Sequence, residues 1–297
     1  MAEKRTVRWT SSESDGRLVV EMSSDATDCI DSHCHLELLF RRDGSPGCRT
    51  LSEYREQAHG FSTLGGCVTV FEDPRRWSDS SGRTSILGEP GVWGAFGCHP
   101  HRAGFFSSES HQLLSEIFQQ DQSVKAIGEI GLDYSRNNHV NRDVQKRVFT
   151  QQLELAVALG APVVLHIREA ERDAHEIIRC VPRGHIMHRH CVTGDLRVQE
   201  MYLDDYPNCY MGFTALITNP RAVNAREAAE QIPLQRMLLE TDAPHFVPHR
   251  LRNESRCSHP GMVGHVAREV AAIKSCTLKT VVEQTRYNTR RVYDLPL

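Results

Sequence analysis

Beyond residue 27 the sequence alternates short apolar runs with amphipathic stretches. The runs predict eight strands, at 28–35, 66–71, 91–97, 124–130, 162–167, 185–188, 209–211 and 237–239. The other stretches predict helices at 51–59, 111–120, 140–159, 170–180, 196–204, 220–230, 262–274 and 278–293. Such alternation is typical of an α/β chain with a parallel sheet. Eight strand–helix units without an internal linker favour a closed (β/α)8 TIM barrel, and the lack of a glycine-rich dinucleotide fingerprint disfavours an open doubly wound sheet.

Length and composition agree with one barrel domain. The chain has 297 residues, and such a barrel commonly takes about 250. Residues 1–27 are polar and rich in serine and acidic side chains, so we predict an N-terminal arm there and the barrel over 28–297. No apolar run approaches the roughly 18 residues of a membrane-spanning helix, and the amino terminus has no signal-peptide pattern. We therefore expect a soluble intracellular protein with no membrane partner, and a monomer by default.

The net charge of −3 argues against a broadly basic surface that grips nucleic acid along its whole length. A local phosphate site is compatible with this charge. The chemistry has to be sought in particular residues.

The strongest local motif is the segment Asp31-Ser32-His33-Cys34-His35 at the end of the first predicted strand. Residues i and i+2 of a strand face the same side, so His33 and His35 are placed to chelate one ion together. Cys34 faces the other way, and we predict that it packs in the core.

Four more potential ligands stand at or just after predicted strand ends: Glu129, His166, His190 and Asp242. The carboxyl ends of barrel strands meet at one mouth, where active sites of this fold are built. With His33 and His35 they make six ligands, more than the three that a catalytic zinc ion uses. We therefore predict two divalent ions bridged by Glu129, an arrangement suited to phosphoester hydrolysis.

Other residues near the predicted mouth have two interpretations each. His99 either donates to a substrate phosphate or is structural. Arg168 either binds phosphate or forms a surface ion pair with Glu169 or Glu171. Asp133 either braces a ligand or caps a following turn. Four further histidines are predicted to be solvent-exposed: His101, His188, His245 and His249.

The motifs together resemble the TatD-like metal-dependent deoxyribonucleases, over residues 28–295. The matching segments are IDSHCHLE (30–37), GAFGCHPH (94–101), AIGEIGLDY (126–134), PVVLHIREA (162–170), HCVTG (190–194), LLETDAP (238–244) and YNTRRVYDL (287–295). The resemblance implies divalent-metal-dependent cleavage of DNA or RNA phosphodiesters, exonucleolytic on single-stranded ends. It implies metal-ligand roles for the six residues above, with Glu129 bridging, and a substrate role for His99.

The resemblance also implies a phosphate contact by Arg168, and it makes Asp242 the candidate general base that takes the proton from water. Mg²⁺ or Mn²⁺ is the expected cofactor for turnover, and Zn²⁺ also suits the ligands. The arm over 1–27 indicates a catalytic domain of a longer chain, with a nuclear or cytoplasmic location.

Two segments depart from the family's pattern: His245-Phe246-Val247 and Cys257-Ser258-His259-Pro260. We predict that both lie on loops that could contact substrate. The main alternative function is a metal-dependent amidohydrolase or lactonase acting on a small molecule. Many such enzymes bridge their ions with a carboxylated lysine at the end of strand four, where this chain has Glu129, and Lys125 lies at that strand's start. A non-catalytic binding barrel is disfavoured, because no ligand is missing.

Overall fold

The computed structural model describes residues 28–42 and 48–296, and the predicted arm over 1–27 lies outside that part. Eight parallel strands form one sheet in the order of the chain. They are β1 (Cys29–Cys34), β2 (Leu64–Phe71), β3 (Val92–Phe96), β4 (Val124–Asp133), β5 (Val163–Arg168), β6 (Met187–Arg189), β7 (Cys209–Phe213) and β8 (Met237–Leu239). The predicted barrel is confirmed.

Helices connect the strands on the outside of the sheet. They are α1 (Leu36–Arg42), α2 (Leu51–Gln57), α3 (Ser80–Leu87), α4 (Ser108–Gln120), α5 (Arg142–Leu159), α6 (Glu171–Ile178), α7 (Leu196–Asp205), α8 (Val223–Gln231), α9 (Val263–Ile273) and α10 (Leu278–Tyr293). The longest, α5, begins at an Asn141 cap and ends at Gly160, whose φ of 64° suits a residue without a side chain. Within 28–42 and 48–296, no helix combines the length and the apolar character needed to cross a membrane.

The seam between the first and last strands closes the barrel. The Asp242 N–H donates to the His33 carbonyl (2.9 Å), and the His35 N–H donates to the Ala243 carbonyl (2.8 Å). Beneath them, the buried Asp31 carboxylate accepts from the Thr241 N–H at 2.9 Å. The seam therefore runs directly past two of the predicted metal-binding segments.

Apolar side chains cover both faces of the sheet in two layers. The larger one lies between the strands and the outer helices. The smaller one fills the barrel below the mouth, and its buried members are Ile30, Val68, Val70, Ala95, Ala126, Val164, Tyr210, Leu238, Val292, Tyr293 and Leu295. The last three come from the carboxyl end of α10 and the residues after it, so this segment forms the floor of the barrel.

Candidate metal centre

All six predicted metal ligands lie together at the mouth. His33 is on β1, and His35 follows it directly; Glu129 is on β4 and His166 on β5, whereas His190 and Asp242 come just after β6 and β8. Five of the six are buried, and His166 is partly buried. The structure brings the six side chains into one volume, as predicted, although β4 runs to Asp133, beyond its predicted end, so Glu129 lies within the strand.

Glu129 reaches the middle of this group because of its local backbone. The β4–β5 register shifts between Gly128 and Ile130, so Glu129 stands at an irregularity of the ladder, and such irregularities re-aim side chains. Gly131 follows with a φ of 152°. A Cβ at Gly131 would overlap the His166 carbonyl oxygen. Glycine here lets β4 approach β5 closely enough to bring Glu129 beside His166.

The first ligand set surrounds one oxygen of Glu129. Glu129 Oε2 lies 3.5 Å from His33 Nε2 and 3.6 Å from His35 Nε2. Asp242 Oδ1 completes the set, 3.2 Å from His35 Nε2 and 3.7 Å from His33 Nε2. The two imidazole nitrogens are 3.2 Å apart. Two ring nitrogens and two carboxylate oxygens thus point at one small volume.

The second ligand set surrounds the other oxygen. Glu129 Oε1 lies 2.5 Å from His166 Nδ1 and 2.6 Å from His190 Nε2. These two imidazole nitrogens are 3.1 Å apart. His99 Nε2 is farther away, at 3.7 Å from Glu129 Oε1.

These groups fit a divalent cation. Three sets of ligating atoms at the mouth lie within 4.8 Å of one another: His33 with His35 and Glu129, His33 with His190 and Asp242, and His99 with Glu129 and His166. Imidazole and carboxylate ligands together suit zinc, manganese or magnesium. Among the residues described, His33 Nδ1 and His35 Nδ1 are buried without a hydrogen-bond partner, so these two rings are oriented through their Nε2 sides.

The electrostatic balance keeps both carboxylates ionised. Burial raises the pKa of Glu129, but the neighbouring His190, His166 and His99 outweigh it and hold the pKa well below its usual range. Burial also opposes ionisation of Asp242, and the His35 contact lowers its pKa nonetheless. An anionic pair of this kind, held out of bulk water, attracts a cation strongly.

Asp133 contacts a ligand and also caps a turn. Its Oδ2 lies 3.3 Å from His166 Nε2 and 2.9 Å from His101 Nε2, while its Oδ1 accepts from the Ser135 N–H at 2.8 Å. The two interpretations left open by the sequence are thus both met. A carboxylate at the second nitrogen of a metal-binding histidine fixes the orientation of the ring.

His99 faces the second ligand set with a proton on the near side of its ring. Its Nδ1 accepts a hydrogen bond from the His101 N–H at 3.1 Å. Burial is the main reason that its pKa lies well below 6.5. A neutral imidazole that accepts at Nδ1 carries its proton on Nε2. The nitrogen that faces Glu129 is therefore a donor, which suits a substrate oxygen better than a metal ion.

Arg168 is exposed at the end of β5. Among the described residues it forms no ion pair with Glu169 or Glu171, and Glu171 instead lies 3.9 Å from the Arg189 guanidinium. The contact with phosphate therefore stays a prediction.

His188 is the clearest error among the predicted exposed histidines. It is fully buried on β6, and its Nε2 lies 2.9 Å from Glu240 Oε2. Glu240, which the sequence reasoning did not single out, is also fully buried. Each precedes a predicted ligand by two positions, so strand alternation was the signal available for both. His245 and His249 are exposed, as predicted, and the His101 side chain is 34% exposed.

Both departing segments lie on loops, as predicted, but one of them is buried. Ser258 and His259 are buried. The His259 ring stacks on Phe61, with the centroids 4.6 Å apart. This segment packs against the polypeptide before β2. In the other segment, His245 is exposed near His35, their ring centroids 6.5 Å apart.

Comparison with known proteins places this geometry in a family. The profile of the family described as TatD related DNase matches residues 30–294. The human protein named 3′-5′ RNA nuclease TATDN2 is 41% identical over 90% of this chain. The protein named 3′-5′ ssDNA/RNA exonuclease TatD of Erwinia tasmaniensis is 35% identical over 68% of this chain and 78% of its own length. This chain spans 35% of the human relative, about a third of its length.

Solved structures share the architecture. YJJV, a TatD homologue from Escherichia coli, superposes with a TM-score of 0.74 at 23% identity, covering 90% of this chain and 98% of its own. An uncharacterized amidohydrolase from Saccharomyces cerevisiae superposes with a TM-score of 0.71 at 18% identity, covering 90% of this chain and all of its own. Such distant likenesses speak to the fold alone. The match over 30–294 and the 41% identity go further, and the chain belongs to the family of TatD-related DNases.

Proposed function

We propose that this chain is a divalent-metal-dependent nuclease that hydrolyses phosphodiester bonds at the 3′ ends of single-stranded DNA or RNA. One observation supports it above all. The two oxygens of Glu129 face two separate ligand sets, one with His33 and His35 and the other with His166 and His190. A carboxylate placed in this way could serve as a ligand to each of two divalent ions. The activities named for the human and Erwinia relatives agree with this function.

In this proposal His33, His35 and Asp242 would hold the first ion, and His166 and His190 would hold the second. Both ions are expected to be Mg²⁺ or Mn²⁺, because the hard carboxylates favour these ions. Zn²⁺ also suits the imidazoles. When bound, two such ions lower the pKa of water and offset the charge of the attacking and leaving oxygens.

The side chains at the mouth divide the remaining work. Asp242 is the general base: its carboxylate stays ionised beside His35 and is 10% exposed, so it can take a proton from water entering the mouth. The Nε2–H of His99 donates to a phosphate oxygen. Arg168, at the exposed end of β5, also contacts a phosphate of the substrate.

The amidohydrolase or lactonase alternative is weaker at the bridging position. A carboxylated lysine would have to stand at the carboxyl end of β4. Lys125 stands instead at the second position of that strand, and Glu129 occupies the mouth.

Cleavage of single-stranded oligonucleotides tests the proposal. DNA and RNA of the same sequence, labelled at the 5′ end, are incubated in Mg²⁺ or Mn²⁺, with EDTA as the metal-free control. We expect a ladder that shortens from the 3′ end, absent in EDTA and in Glu129→Gln. The matched control is Glu200→Gln, which makes the same change at an exposed carboxylate on α7.

The pattern of cleavage products distinguishes exonuclease from endonuclease action. The relative rates on the DNA and RNA oligonucleotides show which nucleic acid is preferred. No cleavage by folded, metal-loaded protein would refute the nuclease proposal and direct the search to small esters, lactones and amides. Elution of the protein in size-exclusion chromatography tests the predicted monomer. A nuclear or cytoplasmic location stays a prediction from the sequence.

A further inference from the structure

Three fully buried polar side chains connect the floor of the barrel to the metal centre. They are Tyr293 at the end of α10, His188 on β6 and Glu240 just after β8. Tyr293 belongs to the apolar layer that fills the barrel, together with Val164 and Leu238. A buried polar group without a partner costs about 1–3 kcal/mol. Contacts among the three side chains therefore matter for each of them.

Tyr293 contacts two strands that lead to metal ligands. Its hydroxyl lies 2.6 Å from His188 Nδ1 and donates to the Ser32 carbonyl at 3.1 Å. Ser32 immediately precedes His33, and His188 stands two residues before His190. The end of α10 is thereby joined to both segments that supply these ligands.

Glu240 carries the connection to His190. Its Oε2 lies 2.9 Å from His188 Nε2, and its Oε1 accepts from the Cys191 N–H at 2.6 Å. The same Oε1 is 3.7 Å from His190 Nδ1, on the side of the ring opposite Glu129. At 3.7 Å these two atoms are not hydrogen-bonded, so Glu240 acts on His190 through the Cys191 N–H, which fixes the backbone directly after that histidine.

The backbone leaves room for this contact. β7 runs between the strands that carry His188 and Glu240, and Gly212 occupies the crossing point. A Cβ at Gly212 would overlap both Glu240 Oε2 and His188 Nε2. The absence of a side chain at this position is thus a condition for the His188–Glu240 contact.

We propose that Tyr293 and His188 are positioning residues, which act through Glu240 to hold His190 in the orientation that binds metal. The inference rests on the proposed metal centre and does not depend on which phosphodiester is cleaved. The carboxyl end of α10 would then help to position a residue at the mouth, in addition to filling the bottom of the barrel.

Metal affinity of the Tyr293→Phe variant tests the inference. The substitution keeps the ring and removes the hydroxyl. The matched control is Tyr206→Phe, which removes a buried hydroxyl that donates to the Ile178 carbonyl between α7 and α6. Mn²⁺ binding is measured by titration calorimetry, with thermal unfolding of the metal-free proteins alongside. We expect Tyr293→Phe to bind Mn²⁺ about tenfold more weakly, the usual effect of removing a residue that supports a metal-binding histidine. Binding in the control is expected to be unchanged.

A double variant shows whether Tyr293 acts through His188. His188→Gln alone weakens Mn²⁺ binding, and we expect the addition of Tyr293→Phe to weaken it no further, since coupled residues are not additive. Unchanged affinity in Tyr293→Phe, or losses that add in the double variant, would overturn the inference. Failure of the unchanged protein to bind Mn²⁺ would overturn the metal centre itself, and the inference with it.

Discussion

At the scale of single residues, His99 differs from the six proposed ligands in where its proton lies. Its Nδ1 accepts the His101 N–H, so its Nε2 carries a proton toward the volume where a phosphate would sit. The proposed ligands offer lone pairs there instead. A donor that strengthens its contact as charge develops on phosphate contributes to the rate and contributes nothing to metal affinity.

His99→Ala is therefore expected to lower kcat by about 10²–10³, the usual effect of removing one such donor. Bound metal, measured by atomic emission on the dialysed protein, stays unchanged. His99→Gln restores part of the activity, because its amide nitrogen reaches a position close to that of Nε2. Loss of metal in His99→Ala would make His99 a ligand and contradict the assignment.

The sequence indicated the proposed ligands more readily than the residues that support them. Strand ends point to one mouth whatever the details of packing, so His33, His166 and Asp242 could be found by position alone. The His188–Glu240 contact joins strands that are not sheet neighbours, and it depends on Gly212 between them. A pattern read along one strand carries no information about such a crossing.

At the scale of elements, all eight strands were predicted, whereas α1 and α3 were not. The α3 segment SSGRTSIL contains a glycine and has only two buried residues, at its end, so no 3.6-residue stripe marks it. α1 follows His35 without a break, and its seven residues were assigned to no element in the prediction. Tertiary packing holds both short helices, which are too short to be stable alone.

His259, in the turn before α9, is one source of the pH dependence of folding stability. Burial, and then the nearby His265, lowers the pKa of His259 to about 4, against 6.5 for an exposed histidine. Between these values the unfolded chain binds a proton that the folded protein excludes. Folding stability is therefore complete above about pH 6.5 and decreases as the pH falls toward 4, by about 2 kcal/mol at pH 5 from this residue.

Urea unfolding of the metal-free protein at pH 7 and pH 5 measures this effect. In His259→Phe, which keeps a ring against Phe61, we expect the decrease in stability between the two values to be smaller by about 2 kcal/mol. His249→Phe, a change at an exposed histidine, is expected to behave like the unchanged protein. An equal pH dependence in His259→Phe would assign the effect to other groups.

At the scale of the whole molecule, the proposed metal centre would also stabilise the fold. Its proposed ligands come from five strands, and an ion that binds only the folded chain stabilises that chain by mass action. Without the ion, the buried Glu129 and Asp242 carboxylates have only imidazoles as partners among the described residues.

Mn²⁺ at a hundred times its Kd is expected to raise the Tm by about 5–10 °C, the equivalent of about 3 kcal/mol in a domain of this size. Differential scanning calorimetry with and without the ion measures the shift, and EDTA reverses it. In Glu129→Gln the shift disappears. A Tm that does not respond to Mn²⁺ in the unchanged protein would show that the folded chain has no preference for the ion.

The seam beside the metal centre also sets the order of events during synthesis. His33 and His35 leave the ribosome before Asp242 and Ala243, whose backbone groups form hydrogen bonds with theirs across the seam. The two sides of the seam are far apart in the sequence: Asp31 and Thr241, which also form a hydrogen bond there, are 210 residues apart. A nascent chain that ends before β8 lacks Asp242, which is both a proposed ligand and the proposed general base, and it also lacks the strand that closes the barrel. We therefore expect the proposed nuclease to be inactive until β8 has been translated, next to the messenger RNA that a finished copy could degrade.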